Sequence, residues 1–235
     1  MAGSLAIAQV TPFAWEAQND VNAYVAGVSE ELAGRGHRIL IVAPSESSAL
    51  VRDSRRAIRS EHELLLERTD RSPLVLGVGE VLPFSPTRRR AASLPVDVAR
   101  TIEDALTALT LDIVHVHEPF APSASSVALR QSRALNVGSF HMPTERILST
   151  QLTRPLSRLL FGRLDARIAS YGATRDLMQR FFPAEYEVIR PATNLEPVKR
   201  DGGEIELLLI AEEERAALRA FLRALRVLPP ELEWH

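Results

Sequence analysis

Residues 19–44 read NDVNAYVAGVSEELAGRGHRILIVAP. Val21, Tyr24, Val25, Val28 and Leu32 recur at helical spacing, so residues 20–34 are predicted to form an amphipathic helix. Arg35-Gly36-His37 closes it, with Gly36 suited to a left-handed cap. RILIVA (residues 38–43) is a short apolar run, as is LAIAQV (residues 5–10) upstream. Continuous apolar strands on either side of a helix are the mark of a parallel βαβ unit covered on both faces.

Outward from this unit the alternation continues. Strands are predicted at 63–67, 74–78, 112–117, 136–140, 166–170 and 187–189. Helices are predicted at 96–109, 123–135, 149–163 and 173–182. The order implies an α/β fold, a doubly wound Rossmann-like parallel sheet. Residues 196–204 (EPVKRDGGE) are polar, with Gly-Gly and Pro, and read as a linker after a domain spanning 1–195. Residues 205–235 then offer one strand (205–210) and one helix (212–228). A single β–α pair cannot bury its own faces, so it is expected to dock on the first domain, a second copy or a partner chain.

The 235 residues are 46% hydrophobic and 25% charged, with net charge -2, which argues against nucleic acid as a partner. No cysteine is present, so disulfides and thiolate metal sites are excluded and a reducing compartment such as the cytoplasm fits. No apolar run approaches the roughly 20 residues of a membrane span, and MAGSLAIAQV at the start lacks the basic flank of a signal peptide. Arg146, Arg154, Arg158, Arg163 and Arg167 alternate with leucines, a pattern open to core packing with a solvated face or to peripheral contact with an anionic membrane.

Five stretches together resemble the family 4 retaining glycosyltransferases of the GT-B fold, with the phosphatidylinositol mannosyltransferase branch the nearest in pattern. They are residues 19–44, PFSPTRRR (83–90), DIVHVHEPFAPS (112–123), GSFHMP (138–143) and EVIRPATN (187–194). The resemblance implies two Rossmann-like domains, of which this chain would supply the N-terminal, acceptor-side one and a short remnant of the donor domain. It implies a sugar-nucleotide co-substrate, an anionic or lipid-linked acceptor, and no metal or resident cofactor. It places the chain in the cytoplasm or peripherally at the inner membrane face.

Site residues follow from the same matches. His141, after an apolar strand end, would orient the donor sugar. Arg90 would hold an acidic headgroup, since a guanidinium fork suits phosphate; the Tyr and Asn that accompany it in the family are here Phe84 and Ser85. His117 and Glu118 stand at the preceding strand end and are candidates, with Arg90, Phe84 and Ser85, for contact with the acceptor. His115, His117 and Glu118 invite a metal reading, but the two histidines share one face of a strand while Glu118 points away; a structural role for the turn at Pro119 competes with substrate contact. Asn19 and Asp20 replace the paired glycines that admit the donor diphosphate. Asp20 suits an N-cap but repels a phosphate.

Further on, the family's Gly-Arg and Lys-Gly cations align with Ile210-Ala211 and Ala216-Ala217, and Glu212, Glu213 and Glu214 add negative charge. Loss of one charge-assisted contact to a leaving group costs about 10²–10³ in rate. The remaining donor motifs would lie past His235. The chain is therefore expected to be inactive alone, either as part of a completed transferase or as a non-catalytic partner subunit derived from one.

Overall fold

The computed structural model describes residues 3–67, 71–80, 96–152, 155–192, 219, 221–223 and 226–227. The chain divides into two units between Ala192 and Thr193. In the first, the order is β1 (Ala6–Val10), α1 (Asp20–Gly34), β2 (Arg38–Ser45), α2 (Ser48–Ser60), α3 (His62–Leu66), β3 (Leu74–Glu80), α4 (Val96–Ala108), β4 (Ile113–His117), α5 (Ala124–Gln131), β5 (Leu135–Phe140), α6 (Glu145–Leu152), α7 (Pro155–Phe161), β6 (Ala166–Ala169), α8 (Gly172–Phe181) and β7 (Glu187–Val188). In the second, residues 219 and 221–223 are helical. The predicted strand at 205–210 and linker at 196–204 lie outside the described residues, as do Phe84, Ser85 and Arg90.

The strands form one parallel sheet in the order β3-β2-β1-β4-β5-β6-β7. This is the doubly wound arrangement expected from the alternation of elements. Strand order reverses between β1 and β4, where ligands of such sheets bind at the carboxyl ends.

Alternate residues face opposite layers. Ile7 and Ile39 pack with Ala33 of α1, and Ile41 packs with Val21 and Val25. Ala8, Val10, Val42, Val114 and Val116 point the other way, among Val98, Ile102, Ala128 and Leu129 of α4 and α5. Both faces are covered, which explains the uninterrupted apolar runs.

Helix α1 closes as its sequence dictates. Gly36 takes φ +93, His37 N–H reaches Leu32 O at 3.1 Å, and Gly36 N–H reaches Ala33 O at 2.9 Å, the paired bonds of a Schellman cap.

Three expectations are corrected, and one helix lies where none was expected. Residues 63–67 lie in and just after the short helix α3, not a strand; only Leu66 of that helix is buried, and a three-leucine run carries no period to separate the two. The helix expected over 149–163 is two helices, α6 and α7, with Pro155 opening the second; proline lacks the N–H a continuing helix needs but suits a first turn. Helix α2 was not anticipated. Its apolar stripe is narrow, with Val51, Ser54 and Ile58 as its buried residues. The N-cap of α1 is Asn19, not Asp20.

Candidate functional site

At the carboxyl ends of the central strands the α1 side of the sheet turns polar. Register pairs Gln9 with His115 and His117 with Ser139. Gln9 and His117 thus flank the reversal between β1 and β4 on the same face, and both are 0% exposed. His141 follows β5 and is 7% exposed. Tyr24 of α1 covers this layer, its ring 4.9 Å from that of His141 and 5.8 Å from that of His117, both edge-on.

The side chains form a continuous chain of hydrogen bonds. Gln9 Oε1 lies 2.8 Å from His117 Nε2. His117 Nδ1 lies 3.1 Å from His141 Nε2, and His141 Nδ1 lies 2.9 Å from Ser170 Oγ at the end of β6. His115 Nε2 turns instead to Ser139 Oγ at 2.7 Å. Every ring nitrogen of His117 and His141 is therefore occupied. Among the described residues no group of three His, Cys, Asp or Glu is arranged to hold a metal ion.

Two further contacts fix the His141 backbone. The Glu118 carboxylate accepts the N–H groups of His141 and Met142, at 2.5 and 3.3 Å. Thr174 at the start of α8 donates to His141 O at 2.8 Å. Glu118 sits at φ +46, an uncommon conformation for a side-chain-bearing residue. That backbone turns the carboxylate out of the strand and across to β5. Of the readings open for this turn, the geometry displays a bracing contact.

Burial dominates the protonation of this layer. It lowers His141 to about 4, against the opposing pull of the Asp20 carboxylate. It lowers His115 to about 3, with His141 adding to the effect. His117 is held well below its ordinary value by burial and by its two neighbouring histidines. Burial pushes Glu118 up to about 7, although the two N–H groups it accepts pull the other way. The histidines are consequently neutral hydrogen-bonding groups at neutral pH.

The β1–α1 connection is closed on itself. Thr11 Oγ1 donates to Asn22 Oδ1 at 2.8 Å, and Asn22 Nδ2 donates to Ala14 O and Ala17 O at 2.7 and 3.1 Å. Asn19 Oδ1 accepts Asn22 N–H at 2.9 Å. Glu16 ties the loop to the end of β2 through Ser45 and Glu46. One of the amide donors that a helix N-terminus can offer an anion is thus used internally, and the exposed Asp20 stands beside the others.

Of the sequence-derived site residues, the fold brings together His117, His141 and Glu118, with Asp20 near enough to His141 to act on its charge. Gln9, Tyr24, Ser170 and Thr174 were not anticipated. Gln9 carried a signal, as a polar residue inside a buried apolar strand; the other three did not. Of the basic series along 146–167, Arg163 donates to Leu129 O and Ser132 O, and Arg167 to Phe161 O, so these two are used within the fold. No helix among the described residues is long and apolar enough to cross a membrane.

A doubly wound parallel sheet with a polar layer at its switch point defines a Rossmann-like domain. Residues 21–197 match the Glycosyltransferase Family 4 model, and the chain belongs to that family. It is 24% identical over 165 residues to the phosphatidyl-myo-inositol mannosyltransferase of Mycolicibacterium smegmatis (strain ATCC 700084 / mc(2)155), covering 69% of this chain and 37% of that protein. It is 23% identical over 230 residues to the Mycobacterium tuberculosis (strain ATCC 25618 / H37Rv) protein of the same name, covering 93% of this chain and 55% of that one. A glycosyltransferase crystal structure from Rickettsia africae ESF-5 aligns with TM-score 0.47 and 15% identity, covering 97% of this chain and 51% of that chain. The chain thus spans about half the length, or less, of the relatives it matches.

Proposed function

We propose that this chain is the acceptor-side half of a retaining, metal-independent glycosyltransferase that moves a hexose from a sugar nucleotide to an anionic or lipid-linked acceptor. The observation that carries the reading is the position of His141, in a chain of this family, at the carboxyl end of β5 beside the switch point. In this reading His141 orients the donor sugar, and Glu118 holds its backbone in place. His117 backs His141 from the acceptor side. Arg90, in the stretch 83–90 that also holds Phe84 and Ser85, supplies the positive charge for an acidic headgroup. The relatives are named for mannosyl transfer to phosphatidyl-myo-inositol, which makes mannose and a phosphoinositide the first donor and acceptor to try. The protein would work in the cytoplasm, peripherally at the inner membrane face.

Catalysis of this kind is positioning plus stabilisation of a departing diphosphate. Ala211 and Ala216 provide no cation for that charge, and the α1 N-terminus is capped by Asn19 with Asp20 beside it. These two observations favour a second reading for the chain by itself, a non-catalytic subunit whose residues 205–228 join a partner or a second copy. Titration calorimetry with GDP- and UDP-hexoses separates the readings. Micromolar binding by this chain alone would rule out the second. Transfer assays with a phosphoinositide acceptor, with and without a donor-binding partner, test the first, and turnover unchanged in His141→Ala would remove His141 from its role.

A further inference from the structure

Gln9, His117, His141 and Ser170 form one hydrogen-bonded line, and its protons are not independent. A carbonyl oxygen carries no proton, so the proton in the 2.8 Å contact belongs to His117 Nε2. A neutral imidazole has only one, which leaves His117 Nδ1 bare. The 3.1 Å contact to His141 then requires the proton on His141 Nε2. His141 Nδ1 is bare in turn and accepts from the Ser170 hydroxyl at 2.9 Å. Turning over the Gln9 amide would move every proton in the line to the opposite nitrogen. Ser170 cannot impose an order, because its hydroxyl donates or accepts equally well. Gln9 is the one group in the line whose polarity is fixed by its orientation. It is fully buried, with an amide nitrogen that has no partner among the described residues.

We propose that Gln9 is a positioning residue: through His117, its carbonyl oxygen fixes the proton of His141 on Nε2 and presents Nδ1 as an acceptor. The consequence for the site rests on the reading of His141 as the group that orients a sugar. A ligand hydroxyl that displaces Ser170 from Nδ1 must donate its proton, so the site selects a hydroxyl and rejects an ether or a deoxy position there.

Long-range proton–nitrogen correlation spectra of the whole chain at neutral pH read the tautomers without substrate. His141 is expected to show one form, with Nε2 protonated and Nδ1 not. Gln9→Leu is expected to lose this preference and give a mixture. Ser170→Ala removes the nearest partner yet should leave the tautomer unchanged. A wild-type His141 protonated at Nδ1 would overturn the proposal. So would a tautomer that follows Ser170→Ala, or one that survives Gln9→Leu. If Gln9→Leu does not fold, the wild-type and Ser170→Ala spectra still decide. Absence of glycosyl transfer would leave the tautomer result standing, and the reverse also holds.

Discussion

Glu118 and His141 are joined across the ends of β4 and β5, the carboxylate of one holding the main-chain N–H of the other and that of Met142. Glu118 keeps an uncommon backbone conformation to serve these donors. Glu118→Ala removes the acceptor of both, strands the part-buried His141 N–H and should destabilise the chain by about 1–3 kcal/mol. Glu118→Gln keeps an acceptor oxygen and should lose less. Denaturant unfolding of the two variants measures the difference, and equal stability of Glu118→Ala and wild type would refute the bracing role.

Acidification should weaken the fold through the buried histidines. Their folded-state pKa values lie below the unfolded value of 6.5, at about 4 for His141 and about 3 for His115. Between those limits the unfolded chain binds more protons, so stability is complete above 6.5 and falls as pH drops towards the folded values. Glu118, raised from 4.5 to about 7, acts in the opposite sense and loses stability as pH rises through that window. Three histidines oppose one carboxylate, so stability should fall overall as pH drops from 6.5 towards 4. A stability flat across this range, measured by chemical denaturation, would contradict it.

Gly79 of β3 leaves no room for a side chain. A Cβ there would overlap the Val98 side chain, with Val98 Cβ at 3.2 Å and its Cα at 3.5 Å. Valine is stiff at χ1 and cannot swing aside. Gly79→Ala should therefore cost about 1–3 kcal/mol by overpacking. The double variant Gly79→Ala/Val98→Ala should show less than the sum of the two single costs. Strict additivity in thermal unfolding would rule out the clash.

Asn19 caps α1 with its side-chain oxygen. Asn19→Ala should lose about 0.5–2 kcal/mol, while Asn19→Ser, another capping residue, should retain most of it. Indistinguishable melting of the alanine and serine variants would show that the cap contributes nothing.

The strand and helix order was written in local period. Residues 20–34 declared α1 because its buried face repeats within each turn and Gly36 supplies the left-handed cap. The doubly wound class followed from apolar strands alternating with such helices. Local signals ran out where the period did: at α2, with its narrow stripe, at α3, with its leucine run, and at Pro155, which divides α6 from α7.

His141 and His117 could be picked out from their place at strand ends, but their partnership could not. Gln9 and His117 are 108 positions apart, and His141 and Ser170 are 29 apart. What joins them is the register of β1 on β4, β4 on β5 and β5 on β6. The sequence by itself determined the strands of the central sheet, residues 63–67 being read wrongly, and which of their residues point to the same face. Only the tertiary structure decided which of those faces' polar groups meet, because a side chain's hydrogen-bond partner is set by non-local strand register, and no residue's own neighbourhood encodes it.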